Sequence, residues 1–112
     1  MARVQSLRRG DVVWVNLDPT VGAEIRKRRP CVVTSLSVLN EKRLTVVVVP
    51  LSTASTPRPP LVVAVPSAGA GANARIDQIR AVDKSRILDS AGKLNRVDME
   101  QVEQALRIVL GL

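Results

Sequence analysis

The stretch that decides the fold is Asp11–Val33, DVVWVNLDPTVGAEIRKRRPCVV. Its first seven residues, Asp11–Leu17, are rich in valine and predict a strand. The segment Asp18–Gly22 predicts a turn, because proline fixes φ and glycine tolerates the left-handed region. Four consecutive cations then precede Pro30, and a second strand is predicted over Cys31–Ser37. The chain therefore places its densest positive charge directly before an apolar strand.

Outward from this stretch, the pattern predicts further strands separated by turns. The strands are predicted over Leu44–Leu51, Leu61–Val65, Arg75–Val82 and Lys93–Leu94. Turns are predicted at Glu41–Arg43 and Ala91–Gly92. The strand over Leu44–Leu51 is apolar on both faces, which indicates a central position in a sheet. The alternation within Arg75–Val82 is imperfect, which allows a bulge.

The C-terminal residues predict a helix. Asp98 is the predicted N-cap, with Gln101 three residues on as in a capping box, and Gly111 is the predicted stop. An apolar stripe at helical spacing consists of Met99, Val102, Leu106 and Val109. We predict a mainly β protein with a C-terminal α-helix, folded as a small, strongly bent β-barrel. The length of 112 residues predicts one domain over residues 1–112.

The composition narrows the classes of function. A net charge of +7 predicts attraction to polyanions such as nucleic acid. The chain contains no histidine, which removes the usual acid and base near neutral pH. A zinc site is disfavoured because Cys31 is the single cysteine. Trp14 is the single aromatic residue, so several bases cannot stack on aromatic side chains.

The same features predict a soluble, cytoplasmic protein without membrane contact. No signal peptide is apparent, and apolar runs such as Val46–Leu51 are too short to cross a bilayer. The lone Cys31 cannot form an internal disulfide and is predicted to be a buried thiol in a reducing compartment.

Basic residues without histidine or metal suit one reaction in particular. RNA carries its own nucleophile, the 2′-OH, so internal cleavage of RNA requires neither a metal ion nor another cofactor. The reaction requires a base, an acid and a cation beside the phosphate. Arg29 is the candidate cation, because its planar fork matches phosphate oxygens. Ser52 can donate a hydroxyl hydrogen bond, and Glu24 and Asp77 are the candidate bases.

Beyond this chemistry, the segment Arg9–Val33, RGDVVWVNLDPTVGAEIRKRRPCVV, resembles the N-terminal signature of the MazF/PemK toxins. The resemblance continues through VVVVPLST, ARIDQIRAVDKSRI and the final ALRIVLGL, and it covers nearly the whole chain. It implies an SH3-like β-barrel that forms a homodimer. It also implies a sequence-specific, metal-independent endoribonuclease that leaves a 2′,3′-cyclic phosphate and a 5′-OH.

The resemblance also implies partners. The substrate would be single-stranded messenger RNA. A cognate antitoxin of a type II toxin–antitoxin module would block the toxin with an acidic, extended segment, and the antitoxin complex would bind operator DNA.

The resemblance also implies roles for individual residues, matched to the family's motifs position by position. Arg29 matches the arginine of the family's R-P motif, which is its usual catalytic residue, and Glu24 matches the loop glutamate. Ser52 stands where many members have threonine, and serine keeps the hydroxyl. One branch of the family uses an R-x-D motif, which Arg75 and Asp77 match. That branch also uses a histidine where this chain has Ala23, so the arginine–hydroxyl version is favoured.

Several roles remain open at the level of sequence. Because arginine stays protonated in proteins, Arg29 is predicted to stabilise charge first and to act as general acid second. The residues predicted to bind RNA are Arg26, Lys27, Arg28, Thr53, Arg75 and Gln78. The favoured interpretation of Arg26 to Arg28 is a solvated loop that attracts RNA without taking part in the reaction. Arg75 is also compatible with an ion pair to Asp77. Trp14 is predicted to lie in the core or in a dimer interface.

Two rival functions stand beside the ribonuclease. A gyrase poison of the same fold binds a protein and cleaves nothing, but that branch uses an aromatic residue near the end of its C-terminal helix, which this chain lacks. A non-catalytic barrel could bind RNA through charge alone.

Overall fold

The computed structural model describes residues 6–24 and 27–112, and Arg26 lies outside them. Seven antiparallel strands are β1 (Asp11–Asn16), β2 (Arg28–Val33), β3 (Thr45–Ser52), β4 (Val62–Ala64), β5 (Asn73–Arg75), β6 (Arg80–Asp83) and β7 (Ile87–Lys93). The helices are α1 (Ser37–Lys42) and α2 (Arg96–Leu110). The predicted mainly β fold with a C-terminal helix is confirmed.

Strand β3 is the centre of the sheet, because it pairs on both edges. One edge pairs with β2, and the other pairs first with β6 and then with β5. The N–H and C=O of Val47 both face the β2 edge. Because the backbone polar groups of successive strand residues face alternate edges, those of Pro50, three positions on, face the opposite edge. There Pro50 falls between the pairings with β6 and β5, where its missing N–H removes no ladder bond.

The basic run enters the sheet earlier than predicted. Strand β2 begins at Arg28 instead of Cys31, because Arg28 and Arg29 pair with Asn16 and Val15 of β1. Two of the four consecutive cations therefore belong to a strand and are anchored by its neighbours.

Three predictions about strands and turns are wrong, and the first two concern Arg75–Val82 and Glu41–Arg43. The segment predicted as one strand over Arg75–Val82 is interrupted by a 3₁₀ turn, Ile76–Gln78, where Ile76 is fully buried. The predicted turn Glu41–Arg43 is the end of helix α1.

The predicted turn Ala91–Gly92 lies inside β7, and the short strand Lys93–Leu94 is only the end of that longer strand. There the register against β1 shifts and Gly92 adopts φ +102. The glycine serves a β-bulge and not a chain reversal.

Helix α2 is capped one turn earlier than predicted. Asn95 is the N-cap, and its Oδ1 accepts the Asp98 N–H at 2.8 Å. Asp98 instead accepts the Ser67 N–H at 2.8 Å and so ties the helix to the segment before β5. The predicted stop is confirmed, since Gly111 caps the helix at φ +71.

The core lies on both faces of β1, β2 and β3. One apolar cluster lies beneath α2 and takes in the helix stripe of Met99, Val102 and Leu106, with Val109 packed against it. The second lies on the other face and contains Cys31. The predicted buried thiol is confirmed, and burial raises the pKa of Cys31 to about 12. Neither α1 nor α2 is long and apolar enough to span a membrane.

Candidate functional site

The arginine–serine cleft, of about 290 Å³, opens where β2 begins and β3 ends. Its polar and aromatic lining consists of Trp14, Arg28, Arg29, Ser52 and Thr53. Small residues between 68 and 72 form part of its wall. A cleft with this lining combines two guanidinium groups, two hydroxyls and one indole.

The sheet register brings Arg29 and Ser52 together. Cys31 pairs with Pro50, so the same antiparallel register, continued by two residues, sets Arg29 opposite Ser52. On its other side, Arg29 pairs with Val15. The backbone of Arg29 is thus held by strand pairing.

The Ser52 hydroxyl oxygen is held in place by a hydrogen bond. The residue is only 8% exposed, and its Oγ accepts the Ala54 N–H at 3.1 Å. Because this bond uses an oxygen lone pair, the hydroxyl hydrogen stays available as a donor. Ser52 also pairs with Asn73 of β5, which fixes the end of β3.

Trp14 does not lie in the core, so that part of its prediction is wrong. It is 42% exposed and lines the arginine–serine cleft beside Arg28 and Arg29. Its neighbours Val13 and Val15 are buried on the opposite face of β1. The two-residue period of a strand places Trp14 on the other face from these valines, although residues 12–15 are all apolar and show no polar–apolar alternation.

The carboxylate cleft, of about 220 Å³, holds the two candidate bases. Glu24, Asp77, Gln78, Ile79 and Arg80 line it. Glu24 is oriented by its own turn, because its Oε1 accepts the Val21 N–H at 2.7 Å. The four predicted catalytic residues therefore divide into two pairs: Arg29 with Ser52, and Glu24 with Asp77. Within residues 6–24 and 27–112, no three potential metal ligands cluster to form a metal site.

The loop cleft, of about 400 Å³, contains Arg75. Its lining residues are Ser55, Thr56, Arg58, Leu61, Val62, Arg75 and Asp77. The Arg75 Nη1 donates to the Ser55 Oγ at 3.1 Å. In the described part of the chain, no ion pair joins Arg75 to Asp77. Asp77 lines both this cleft and the carboxylate cleft.

Of the remaining predicted cations, Lys27 and Arg28 lie within the described residues, and both are exposed. Lys27 adopts φ +70, and its N–H donates to the Asp18 Oδ1 at 3.0 Å. Arg28 is exposed at the start of β2. Positive charge thus continues from the β1–β2 connection to the arginine–serine cleft.

These features define a small, basic β-barrel protein with polar clefts suited to an anionic strand. The chain belongs to the PemK-like, MazF-like toxins of type II toxin–antitoxin systems, because the model of that family matches residues 8–110. The family and the barrel fold expected from the resemblance are thereby confirmed.

Known proteins match this chain along almost its whole length. It is 30% identical to Endoribonuclease MazF9 of Mycobacterium tuberculosis, over 95% of this chain and 98% of that protein. The crystal structure of MazF from Deinococcus radiodurans superposes with a TM-score of 0.86 at 25% identity, covering 96% of this chain and 98% of the other. An endoribonuclease from a mycobacterial species, solved in complex with its cognate antitoxin, gives a TM-score of 0.78 at 25% identity and covers 97% of each chain.

Proposed function

We propose that this protein is the toxin of a type II toxin–antitoxin pair and that it cleaves single-stranded RNA internally without a metal ion. One observation carries the mechanism: Arg29 and Ser52 line a single cleft at the junction of β2 and β3. The match to Endoribonuclease MazF9 supports the reaction class.

The reaction proceeds by attack of the RNA on itself. The 2′-oxygen forms a bond to the adjacent phosphorus as the bond from phosphorus to the 5′-oxygen breaks. The 2′-OH proton passes to a base, and the leaving 5′-oxygen receives a proton from an acid. The products are a 2′,3′-cyclic phosphate and a 5′-OH.

Arg29 stabilises the negative charge that develops on the phosphorane. Its guanidinium can donate two parallel hydrogen bonds to the non-bridging oxygens, and strand pairing holds its backbone before the substrate arrives. Because arginine remains protonated in proteins, its role as general acid is secondary. Ser52 donates its hydroxyl hydrogen to the same phosphate, since its oxygen is already engaged by Ala54.

A carboxylate of the carboxylate cleft accepts the 2′-OH proton. Glu24 and Asp77 are both candidates, and RNA must lie across both clefts for either to come within hydrogen-bond distance of the 2′-OH. Single-turnover cleavage rates of Glu24→Gln and Asp77→Asn separate them, because only the variant that lacks the base should slow the chemical step by about 10²-fold or more.

The partners follow from charge and from the family. An acidic, extended antitoxin segment would cover the cations that bind RNA beside the arginine–serine cleft, such as Lys27 and Arg28, with Thr53 as a polar contact. Arg75 and Gln78 would be further RNA contacts. We propose a homodimer as the active form and operator DNA as a ligand of the antitoxin complex. The site of action is the cytoplasm, where messenger RNA is available.

The deciding experiment uses Arg29→Ala. The protein is incubated in EDTA with a long single-stranded RNA, and the new 5′ ends are mapped. We expect discrete cuts bearing 5′-OH, with a rate about 10²- to 10³-fold lower for the variant. Arg28→Ala is the matched control, because it removes a neighbouring exposed cation and should mainly weaken binding.

Two results would contradict the proposal. Intact RNA with the unmodified protein would exclude the ribonuclease for the RNA tested. Equal, modest losses for Arg29→Ala and Arg28→Ala would indicate a protein that binds RNA through charge alone.

A further inference from the structure

The loop cleft has features of a second binding site, separate from the phosphate site of Arg29 and Ser52. Two arginines, Arg58 and Arg75, line it together with the hydroxyl-bearing Ser55 and Thr56. We propose that it is a second RNA subsite, in which these arginines bind a backbone phosphate a few nucleotides from the scissile one. This inference rests on the proposed ribonuclease function.

Arg58 is an exposed arginine on a rigid backbone. Its N–H donates to the Val62 C=O at 2.7 Å, and its C=O accepts the N–H groups of Leu61 and Val62 at 3.0 Å. Prolines 57 and 59 flank it and fix φ on either side. Because the backbone is already ordered, binding a ligand requires the ordering of little more than the Arg58 side chain.

Arg75 offers a donor that the protein leaves unused. Its Nη1 is bonded to Ser55, whereas its Nε is buried and has no hydrogen-bond partner among the described residues. Native proteins rarely leave a buried donor unsatisfied. The Nε therefore indicates an acceptor that a ligand supplies, and a phosphate oxygen matches the geometry of the guanidinium fork.

The loop cleft is tied to the arginine–serine cleft by the β3–β4 segment, residues 53–61. Ser55 is held twice, because its C=O accepts the Asn73 Nδ2 at 2.5 Å and its Oγ accepts Arg75. Asn73 pairs with Ser52 in the sheet. Arg58 follows Ser52 by six positions, so their Cα atoms lie at most about 20 Å apart. An RNA strand bound at Ser52 can reach Arg58 within a few nucleotides.

The charge pattern favours RNA over an acidic peptide as the occupant. Asp77 lines the same cleft as the two arginines, and its carboxylate repels the carboxylates of a peptide. A ribonucleotide presents an anionic phosphate to the arginines and hydroxyl or amino donors to Asp77. Both signs of charge in the cleft are then matched by one ligand.

The test compares Arg58→Ala with Arg43→Ala, since each removes one exposed arginine. Arg43 follows α1 and lines none of the three clefts. The probe is a long RNA with a 2′-deoxynucleotide at the cut position, which binds but lacks the nucleophile. We expect Arg58→Ala to weaken binding by about three- to tenfold. The slope of log K against log salt should fall in magnitude by about 0.7, the value for one phosphate contact on a single strand.

Cleavage of a short RNA that spans the arginine–serine and carboxylate clefts but does not reach Arg58 should proceed equally with Arg58→Ala and the unmodified protein. Equal binding by Arg58→Ala and Arg43→Ala, with the unmodified protein active, would overturn the subsite and leave the ribonuclease standing. An unmodified protein that binds no RNA would overturn both. A loss of poly-glutamate binding by Arg58→Ala, with RNA binding unchanged, would assign the cleft to an acidic partner and overturn the subsite.

Discussion

Trp14 combines two properties that a core residue does not have. It is partly exposed, and it lines the cleft that contains Arg29 and Ser52. Since stacking of a base on an aromatic side chain contributes about 1–3 kcal/mol, we expect Trp14→Ala to weaken RNA binding by about five- to 150-fold. Trp14→Phe should retain most of the affinity. Fluorescence anisotropy with an uncleavable RNA measures both.

A different outcome would place Trp14 in another role. If Trp14→Ala left RNA affinity unchanged but altered the mass in light scattering, the indole would belong to a subunit interface. Monitoring the oligomeric state of both Trp14 variants therefore accompanies the binding measurement.

Cys31 should be chemically inert in the folded protein. It is fully buried, its thiol donates to the Arg29 C=O at 3.7 Å, and burial raises its pKa from 9.0 to about 12, against a smaller lowering by Arg80. We expect no labelling by a thiol-reactive dye at pH 8 and complete labelling in urea. Rapid labelling of the native protein would show that the strand opens at Cys31.

The raised pKa of Cys31 also makes the stability of the protein depend on pH. Because the pKa of Cys31 is higher in the folded state than in the unfolded state, its contribution to the free energy of unfolding is fully present below pH 9. It is lost as the pH rises toward 12, where the unfolded thiol is ionised and the folded one is still protonated.

The proposed catalytic pair shows how much of the site can be predicted from the sequence. Arg29 and Ser52 are 23 positions apart in the sequence, yet both follow from motifs beside apolar strands, and the register of β2 and β3 brings them together. Glu24 and Asp77 were also identified from motifs. Their separation into another cleft was not predictable, because it depends on the 3₁₀ turn that places Asp77.

At the scale of elements, α2 depends on a cap that the sequence pattern misplaced. Asn95 accepts the Asp98 N–H, and its own N–H donates to the Ser67 Oγ at 3.0 Å. We expect Asn95→Ala to lower the free energy of unfolding by about 1 kcal/mol. Asn95→Ser should lose much less, because serine also caps a helix. Urea unfolding monitored by circular dichroism provides the comparison, and equal losses for both variants would contradict the capping role.

The elements that were predicted correctly are those with a strong periodic pattern. The strands around Val13, Val32 and Val48 and the stripe of α2 bury most of their apolar residues in one of the two clusters. The errors involve residues whose local preference is ambiguous. Gly92 suits a turn or a bulge equally well, and only the pairing of β7 with β1 decides between them. Helix α1 is only six residues long, too short for a clear helical period.

At the scale of the whole molecule, the net charge is +7, and the fold places some of the cations in the clefts. Arg28 and Arg29 line one cleft, Arg58 and Arg75 another, and Arg80 a third. Other cations, such as Arg43 and Arg96, are exposed outside these clefts. The composition predicted attraction to a polyanion, but the tertiary structure determines which cations can contact that polyanion.

This distribution predicts the salt dependence of RNA binding. If four or five cations each contact a phosphate of a single strand, log K should fall against log salt with a slope of about −3. Removing two cations outside the clefts, in the double variant Arg43→Ala/Arg96→Ala, should leave the slope nearly unchanged even though the net charge falls by two. Arg28→Ala/Arg58→Ala, with the same change in net charge, should reduce its magnitude by about 1.4. Equal slopes for the two double variants would show that RNA responds to total charge and not to the clefts.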